Sequence, residues 1–459
     1  VSSDGEAPVV PPWPERAVRE ALGLSGQGGG RTFGTISTDS RAIPRGALFV
    51  ALSGERFDGH DYLGAVAAAG AAAAVVRSGT PPVPGLDLIE VPDTLRAYGA
   101  LARARRARIP GPVVAITGTN GKTSTKEMLA AALRTRYVTH ATRANLNNLV
   151  GVPLTILEAP ESTEALVVEA GANLPGEITR YREIIEPELV VITNAVAGHL
   201  EGFGSLEGVV QEKLSLVDGV GLAIVGVEPP ALAEGARRRA RRVQTAALRG
   251  AERVPERVEL GADARPVLTL GGVTFRLAAR GLHQADNAVR VWVAGEELGL
   301  DPAAVAGALE HFTLPGGRGE LLQVGDLTVL NDCYNANPQS FRSAMATARS
   351  LRQGRRLVFV AGTMRELGPE SGSLHAQVAR ELVDLDPDLL AAIGDFVPAL
   401  EAFHDRLGDR LITAPDPVAL GPMLAHRLRG DEVVVLKASR GVALERILPA
   451  LAARANSLG

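Results

Sequence analysis

Apolar positions along the chain fall into two rhythms. Mostly apolar runs at 113–116, 165–170, 189–195 and 222–227 have the length and β-branched character of buried strands. Between them apolar residues return every three or four positions, as at Met128, Leu129, Ala132 and Leu133, which predicts helices with one buried face. A further strand at 137–141 joins the series, so residues 109–314 are expected to form a parallel α/β domain. Downstream, strands at 327–332, 356–361, 389–394, 410–414 and 432–437 each precede a helical run, predicting a doubly wound, Rossmann-like domain over 315–459. Upstream, strands at 47–52, 72–77 and 86–91 with an alanine-rich helix at 61–70 make a small α/β unit within 1–108. The expected fold is α/β with three domains. The boundaries follow a basic helix at 94–108, then Pro110, Gly111 and Pro112, and recur at Pro315 to Gly319. Residues 1–30 read as a loosely specified lead-in ending in a flexible glycine run, and 231–265 as charged and uninformative.

One junction between the rhythms carries chemistry. The strand at 113–116 runs into Thr117, Gly118, Thr119, Asn120, Gly121, Lys122, Thr123 and Ser124, and a helix starts near Lys122. Open N–H groups at that helix start, with glycines removing Cβ bulk, suit phosphate oxygens. Lys122 offers a point charge for the outer phosphates and Thr123 a hydroxyl for Mg²⁺. The match to G-x-x-x-x-G-K-[ST] is partial, because Ile116 stands at the first glycine position; the strand–loop–helix context supports a central P-loop nucleotide domain.

Composition narrows the setting. The 459 residues carry a net charge of −4, which gives no sign of a nucleic-acid or membrane surface. Cys333 is the only cysteine, so no disulfide framework forms within the chain. No secretory signal is expected at the N-terminus, and the apolar run at 65–76 is too short to span a bilayer, so a cytoplasmic protein is expected. Only four lysines, Lys122, Lys126, Lys213 and Lys437, stand against forty-four arginines. A lysine kept in such a chain is a candidate for work a guanidinium cannot do. Lys126 is expected to be a solvated helix residue, which leaves Lys213 and Lys437 as suspects beside Lys122.

Several polar clusters sit at strand ends, where such sheets bind ligands. Glu169 closes one strand as a metal or water ligand, or as a helix cap; His199 lies just past another. Asn145, Asn147 and Asn148 offer amide contacts or ordinary turn chemistry. Thr38, Asp39, Ser40 and Arg41 form an anion-binding loop or a polar turn with a surface salt bridge. In the third domain, Asp332 to Pro338 follow the first strand and Lys437 to Gly441 the last. No G-x-G-x-x-G follows that first strand, which argues against a dinucleotide cofactor.

Taken together, these blocks resemble the Mur ligase family from about Ser37 to Arg446. The matching segments are 54–60, the loop at 117–128, 145–148 leading to Gly151, Val152 and Pro153, 169–173, 199–205, 331–338 and 366–369. The run Asp332, Cys333, Tyr334, Asn335, Ala336, Asn337, Pro338 places the chain nearest the members that add D-alanyl-D-alanine. The absence of an Asp-Asn-Pro-Arg element separates it from the sister that adds the third residue.

The resemblance implies an ATP-dependent amide ligase joining D-alanyl-D-alanine to a UDP-N-acetylmuramoyl-tripeptide through an acyl phosphate, in peptidoglycan precursor synthesis. It implies ATP, two Mg²⁺ ions and a CO₂-derived carbamate on Lys213, in an enzyme expected to be a monomer. Gly118, Thr119, Asn120, Gly121, Lys122, Thr123, Ser124, Asn287, Arg318 and Asp332 would bind the nucleotide. Thr123, Glu169, His199 and carbamoylated Lys213 would ligate metal; Lys122, Glu169, His199 and Lys213 form the catalytic set. Thr38, Asp39, Ser40 and Arg41 would meet the UDP end. Asn145, Asn147, Asn148, Asn335, Asn337, Lys437, Ser439 and Arg440 would contact the remaining substrate.

The chain departs from the family pattern at Leu214, Ser215 and Leu216 beside the lysine, at Thr363 where aspartate is usual, and at Gly198 in place of alanine. Lysine, diaminopimelate and ornithine remain open as the tripeptide's third residue. Another amide ligase of the superfamily, such as a folylpolyglutamate or poly-amino-acid synthetase, would keep the loop, Glu169, His199 and Lys213. A non-enzymatic nucleotide-binding scaffold would bind ATP without releasing phosphate.

Overall fold

A computed structural model describes residues 10–26, 28–54, 57–198 and 200–458. The expected contributions of Gln27, Glu55, Arg56 and His199 therefore lie outside the described residues.

The first sheet has four parallel strands in the order Ile36–Ser37, Leu48–Val50, Ala73–Arg77, Asp87–Val91. The central sheet has six, all parallel, with Val113–Thr117 in the middle between Leu189–Ile192 and Ala165–Glu169. Both central neighbours are fully buried, in keeping with their largely apolar, β-branched residues. The third sheet runs Glu320–Val324, Leu327–Asp332, Val433–Lys437, Leu357–Ala361, Leu389–Ile393, Leu411–Ala414, parallel except for its first, antiparallel edge strand. Helices cover both faces, so each large sheet splits its apolar side chains between two cores. One core is continuous from Trp13 and Leu101 through to Ile192 and Leu232, fusing the first unit to one face of the central sheet. Helix Thr94–Arg106 makes that join. Arg105 on it is buried and donates to the carbonyls of Ala159 and Pro160 at 2.9 and 2.8 Å.

Three expectations need correction. The lead-in is structured: Trp13–Pro14 pairs antiparallel with Thr32–Phe33, and helix Glu15–Ala21 follows. Its organiser is the buried carboxylate of Glu15, which accepts from Arg19 at 3.2 Å, the Gly29 amide at 2.9 Å and Arg31 at 3.0 Å. The segment at 231–265 holds helix Pro230–Arg237 and strands Val243–Thr245 and Arg257–Leu260, the last opening an antiparallel meander that reaches Arg276. Lys126 is not solvated. It is 1 % exposed, with Nζ 2.6 Å from the Thr142 carbonyl and 2.6 Å from Glu127. A buried ammonium is held only by such partners. No described helix is long and apolar enough to cross a membrane.

Candidate active site

The middle strand of the central sheet ends at Thr117, and the chain turns into helix Lys122–Leu133 through two glycines that no other residue could replace. Gly118 has φ 147°, and a Cβ there would lie 1.9 Å from the Thr193 hydroxyl. Gly121 has φ 83°, and its Cβ would lie 2.7 Å from Asn287 Oδ1. Close packing against Thr193, Asn194 and Asn287 thus demands both glycines.

The loop is anchored from behind. The Thr119 amide donates to the Asn194 carbonyl and the Asn120 amide to Asn194 Oδ1, each at 3.0 Å. Those two amides are spent, so the anion cradle is narrower than the motif suggests. It comprises Gly121, Lys122, Thr123 and Ser124, whose N–H groups have no partner among the described residues. Lys122 folds back on its own loop, its Nζ donating to the Gly118 and Thr119 carbonyls at 2.9 and 3.1 Å. Burial lowers its pKa, partly opposed by the charge of Glu169. A phosphate there would restore the counter-charge the ammonium lacks.

Beside the cradle, the Thr123 hydroxyl donates to Glu169 Oε2 at 2.8 Å, and Asn147 Nδ2 donates to Glu169 Oε1 at 2.8 Å. Glu169 is 2 % exposed, yet its carboxylate faces the cleft floor. Lys213 lies on helix Leu206–Leu214, 1 % exposed. Burial, aided by the Lys122 charge, pushes its amine down to about 7. Its neighbour Glu212 accepts from the Gly176 and Ile178 amides, both at 2.8 Å, which fixes the helix. Among the described residues no three His, Cys, Asp or Glu side chains converge. The oxygen donors present are the Thr123 hydroxyl and the Glu169 carboxylate, a hard pair suited to Mg²⁺.

The opposite wall comes from the third sheet. Lys437 is 1 % exposed and ties strand ends together, reaching Asp332 Oδ2 at 2.7 Å and the Asn335 carbonyl at 2.7 Å. Arg318 lies flat over Tyr334, 3.6 Å from the ring centroid. Ser439 Oγ accepts the Arg365 amide at 2.9 Å, and Arg365 donates to the Gly441 carbonyl at 3.0 Å. Behind them His375 is fully buried and neutral, accepting the Met364 amide at 2.9 Å and facing the Ser371 carbonyl at 2.7 Å. Burial lowers its pKa. Thr363 fills the place of the usual aspartate as an acceptor, taking the Asp395 amide at 3.0 Å.

Both walls enclose one cleft of about 560 Å³. It brings together Asn120 to Ser124, Asn145, Asn147, Asn148, Glu169, Asn287, Arg318, Asp332, Asn335, Lys437, Ser439 and Arg440, all expected from sequence. Within it Asn148 Oδ1 accepts the Val150 and Gly151 amides, and Lys437 is spent on the Asp332 loop. Asn337 is 3 % exposed and turned toward the phosphate loop. The cleft does not include Thr38, Asp39, Ser40 or Arg41. There Arg41 donates to Asp39 at 2.8 and 2.7 Å and holds that carboxyl near 2, the surface salt bridge that the sequence left open. Asn194, Gln339 and Arg365 also line the cleft and were not expected. Asn194 had a readable signal, since it follows a buried parallel strand directly.

Known proteins resemble this chain in sequence and fold. Residues 32–106 match the model of the Mur ligase family catalytic domain, 116–295 the Mur ligase middle domain, and 317–440 the Mur ligase glutamate ligase domain. UDP-N-acetylmuramoyl-tripeptide–D-alanyl-D-alanine ligase of Bacillus subtilis is 32 % identical, over 90 % of this chain and 92 % of that one. The Escherichia coli ligase of the same name is 33 % identical over 93 % and 95 %. Among solved structures, MurF of Acinetobacter baumannii superposes with a TM-score of 0.88 at 28 % identity, covering 97 % of this chain and all (100 %) of that one. MurF ligase of Thermotoga maritima, solved with ADP, gives 0.82 at 25 % identity, covering 93 % and 98 %.

Proposed function

This chain belongs to the Mur ligase family, and we propose that it joins D-alanyl-D-alanine to a UDP-N-acetylmuramoyl-tripeptide at the expense of ATP, in cytoplasmic peptidoglycan precursor synthesis. The observation that carries this reading is the single cleft in which a phosphate cradle faces the Asp332 and Lys437 loops of the third sheet. The γ-phosphoryl passes to the tripeptide carboxylate, giving ADP and an acyl phosphate. The acceptor amine then attacks the acyl carbon, the C–N bond forms, and phosphate leaves. Both steps gather anions, so cations must converge. Lys122, Arg318, Arg365 and Arg440 line the cleft from both walls.

In this reading the cradle amides hold the outer phosphates, and Lys122 leaves its own carbonyls to reach them. Asn287 and Arg318 meet the nucleotide and Asp332 its ribose; Tyr334 keeps the Arg318 guanidinium flat. Thr123, Glu169, His199 and Lys213 as a carbamate would hold two Mg²⁺ ions, which neutralise charge on the phosphates and the reacting carboxylate. The fit is chemical: a buried amine with a pKa near 7 is largely neutral at mild alkalinity and open to CO₂. Asn145 and Asn147 face the tripeptide; Asn335, Ser439 and Arg440 face the dipeptide; Thr38 to Arg41 meet the uridine diphosphate. One chain supplies both walls of the cleft, and the proposed enzyme acts as a monomer.

The test is phosphate release with ATP, Mg²⁺, D-alanyl-D-alanine and UDP-muramoyl tripeptides ending in lysine, diaminopimelate or ornithine. Release requiring both the dipeptide and one of these peptides is expected. Equal turnover with free glutamate or diaminopimelate as the amine would overturn the reading in favour of another amide ligase.

A further inference from the structure

The two walls of the cleft meet through a reciprocal pair of amides. Asn120 Nδ2 donates to Asn337 Oδ1 at 3.1 Å, and Asn337 Nδ2 returns a hydrogen bond to Asn120 Oδ1 at 2.6 Å. Gln339 adds a second strap, accepting from Asn120 Nδ2 at 2.8 Å and donating to Glu228 at 3.0 Å. On one side Asn120 belongs to the phosphate loop, its backbone clamped by Asn194 and by the Thr193 hydroxyl at 2.5 Å. On the other, Asn337 caps helix Pro338–Arg352, its Oδ1 also accepting the Ser340 amide at 2.9 Å. Beside the pair, Gly198 packs closely against the phosphate loop. A Cβ on Gly198 would lie 2.6 Å from Thr119 Cγ2 and 3.8 Å from Asn337 Nδ2.

We infer that Asn337 is a positioning residue that, through its reciprocal amide pair with Asn120, couples docking of the third domain to the phosphate loop, so that nucleotide and acceptor each tighten the other's binding. The acceptor half of this statement rests on the function proposed above. Asn335 and Asn337 share the short segment after Leu327–Asp332, so a ligand seated by Asn335 and Arg440 favours the orientation in which the pair is closed. That orientation also holds the loop that receives phosphate. If the domain swings away, the side chain of Asn120 loses its three hydrogen bonds to Asn337 and Gln339 and returns to water. A contact made in one orientation and absent in the other is what allows two ligands to influence one another, and the influence is reciprocal.

The test measures binding of a β,γ-imido ATP analogue to the full chain with and without saturating D-alanyl-D-alanine, in the presence of Mg²⁺ and UDP-muramoyl tripeptide. The wild-type chain should bind the analogue about tenfold tighter with the dipeptide, a typical coupling of this kind. Asn120→Ala and Asn337→Ala should each reduce that ratio to near one, and the double variant should be no worse than either single one. Asp416→Ala removes a helix cap elsewhere in the third domain. It should lower thermal stability and keep the ratio, separating coupling from folding. Full coupling in Asn120→Ala, or additive losses in the double variant, would overturn the inference. The proposed function is judged separately, by dipeptide-dependent phosphate release from the wild-type chain. If that release is absent, the nucleotide arm still decides the pair. Without any acceptor, Asn120→Ala and Asn337→Ala should weaken the analogue equally and non-additively, and additive effects would refute the pairing.

Discussion

The Thr123 hydroxyl donates to Glu169 Oε2 at 2.8 Å, linking the first turn of the phosphate-loop helix to the end of strand Ala165–Glu169. This bond holds two hard oxygen donors where a divalent ion would bridge protein and nucleotide. Glu169→Gln keeps the shape but removes the charge, and should lower kcat by about a hundredfold or more. Thr123→Ala should act chiefly by raising the Mg²⁺ concentration needed for half-maximal rate. A magnesium titration of phosphate release separates the two. An unchanged magnesium requirement in both variants would remove these residues from the metal site.

Lys213 gives a second prediction. Lys213→Arg keeps a cation but cannot form a carbamate, so turnover should nearly vanish. Lys213→Ala should regain part of its activity with formate or acetate. The folded amine loses its proton near 7 and an ordinary lysine near 10.5. Folding therefore expels a proton between those values, and the Lys213 contribution to stability rises with pH across that window. At limiting bicarbonate, activity should climb from pH 6 to 8. Substantial turnover by Lys213→Arg would return this lysine to a purely structural role.

A third prediction follows from the buried Lys126. Arginine is larger and its fork does not match a single carbonyl acceptor, so Lys126→Arg should destabilise by about 1–3 kcal/mol through overpacking. Urea denaturation of the full chain measures this. A midpoint equal to that of wild type would mean that the helix face at Thr142 has room to spare.

The acid dependence of the N-terminal unit should report Glu15. Its hydrogen bond with Arg31, together with those from Gly29 and Arg19, outweighs burial and holds the carboxyl near 2, below the ordinary 4.5. A lowered folded pKa means that the stabilisation is complete above about 4.5 and drains away as pH falls toward 2. Glu15→Gln should cost about 2 kcal/mol at pH 7, in keeping with charge-assisted hydrogen bonds. The gap from wild type should narrow by pH 3, as read from urea midpoints. A gap independent of pH would show that Glu15 acts by shape alone.

Much of the scaffold was legible because buried parallel strands are written as continuous β-branched runs; Val113 to Ile116 could be little else. The cradle was legible through its glycines, and the scarcity of lysine marked residues with unusual surroundings: three of the four lysines are 1 % exposed and the fourth folds into the phosphate loop. Lys126 misled because a charged residue beside Glu127 on a helix reads as solvent-facing until the Thr142 carbonyl, 16 residues away, is seen to accept its hydrogen bond. The strand Trp13–Pro14 is too short to carry a period. The pairing of Asn120 with Asn337 spans 217 residues, and no local pattern announces which amides will meet across two domains.

That separation also sets a timetable for the newly made chain. Domains emerge and fold from the N-terminus onward at about 5–20 residues per second. The phosphate loop and its sheet can be in place while Asp332, Asn337 and Arg440 are still to be synthesised. A half-made molecule thus has a cradle for phosphate but no opposite wall and no Asn337 to steady Asn120. Because the site is split between an early and a late domain, no growing chain presents both walls of the cleft until the last sheet has been made.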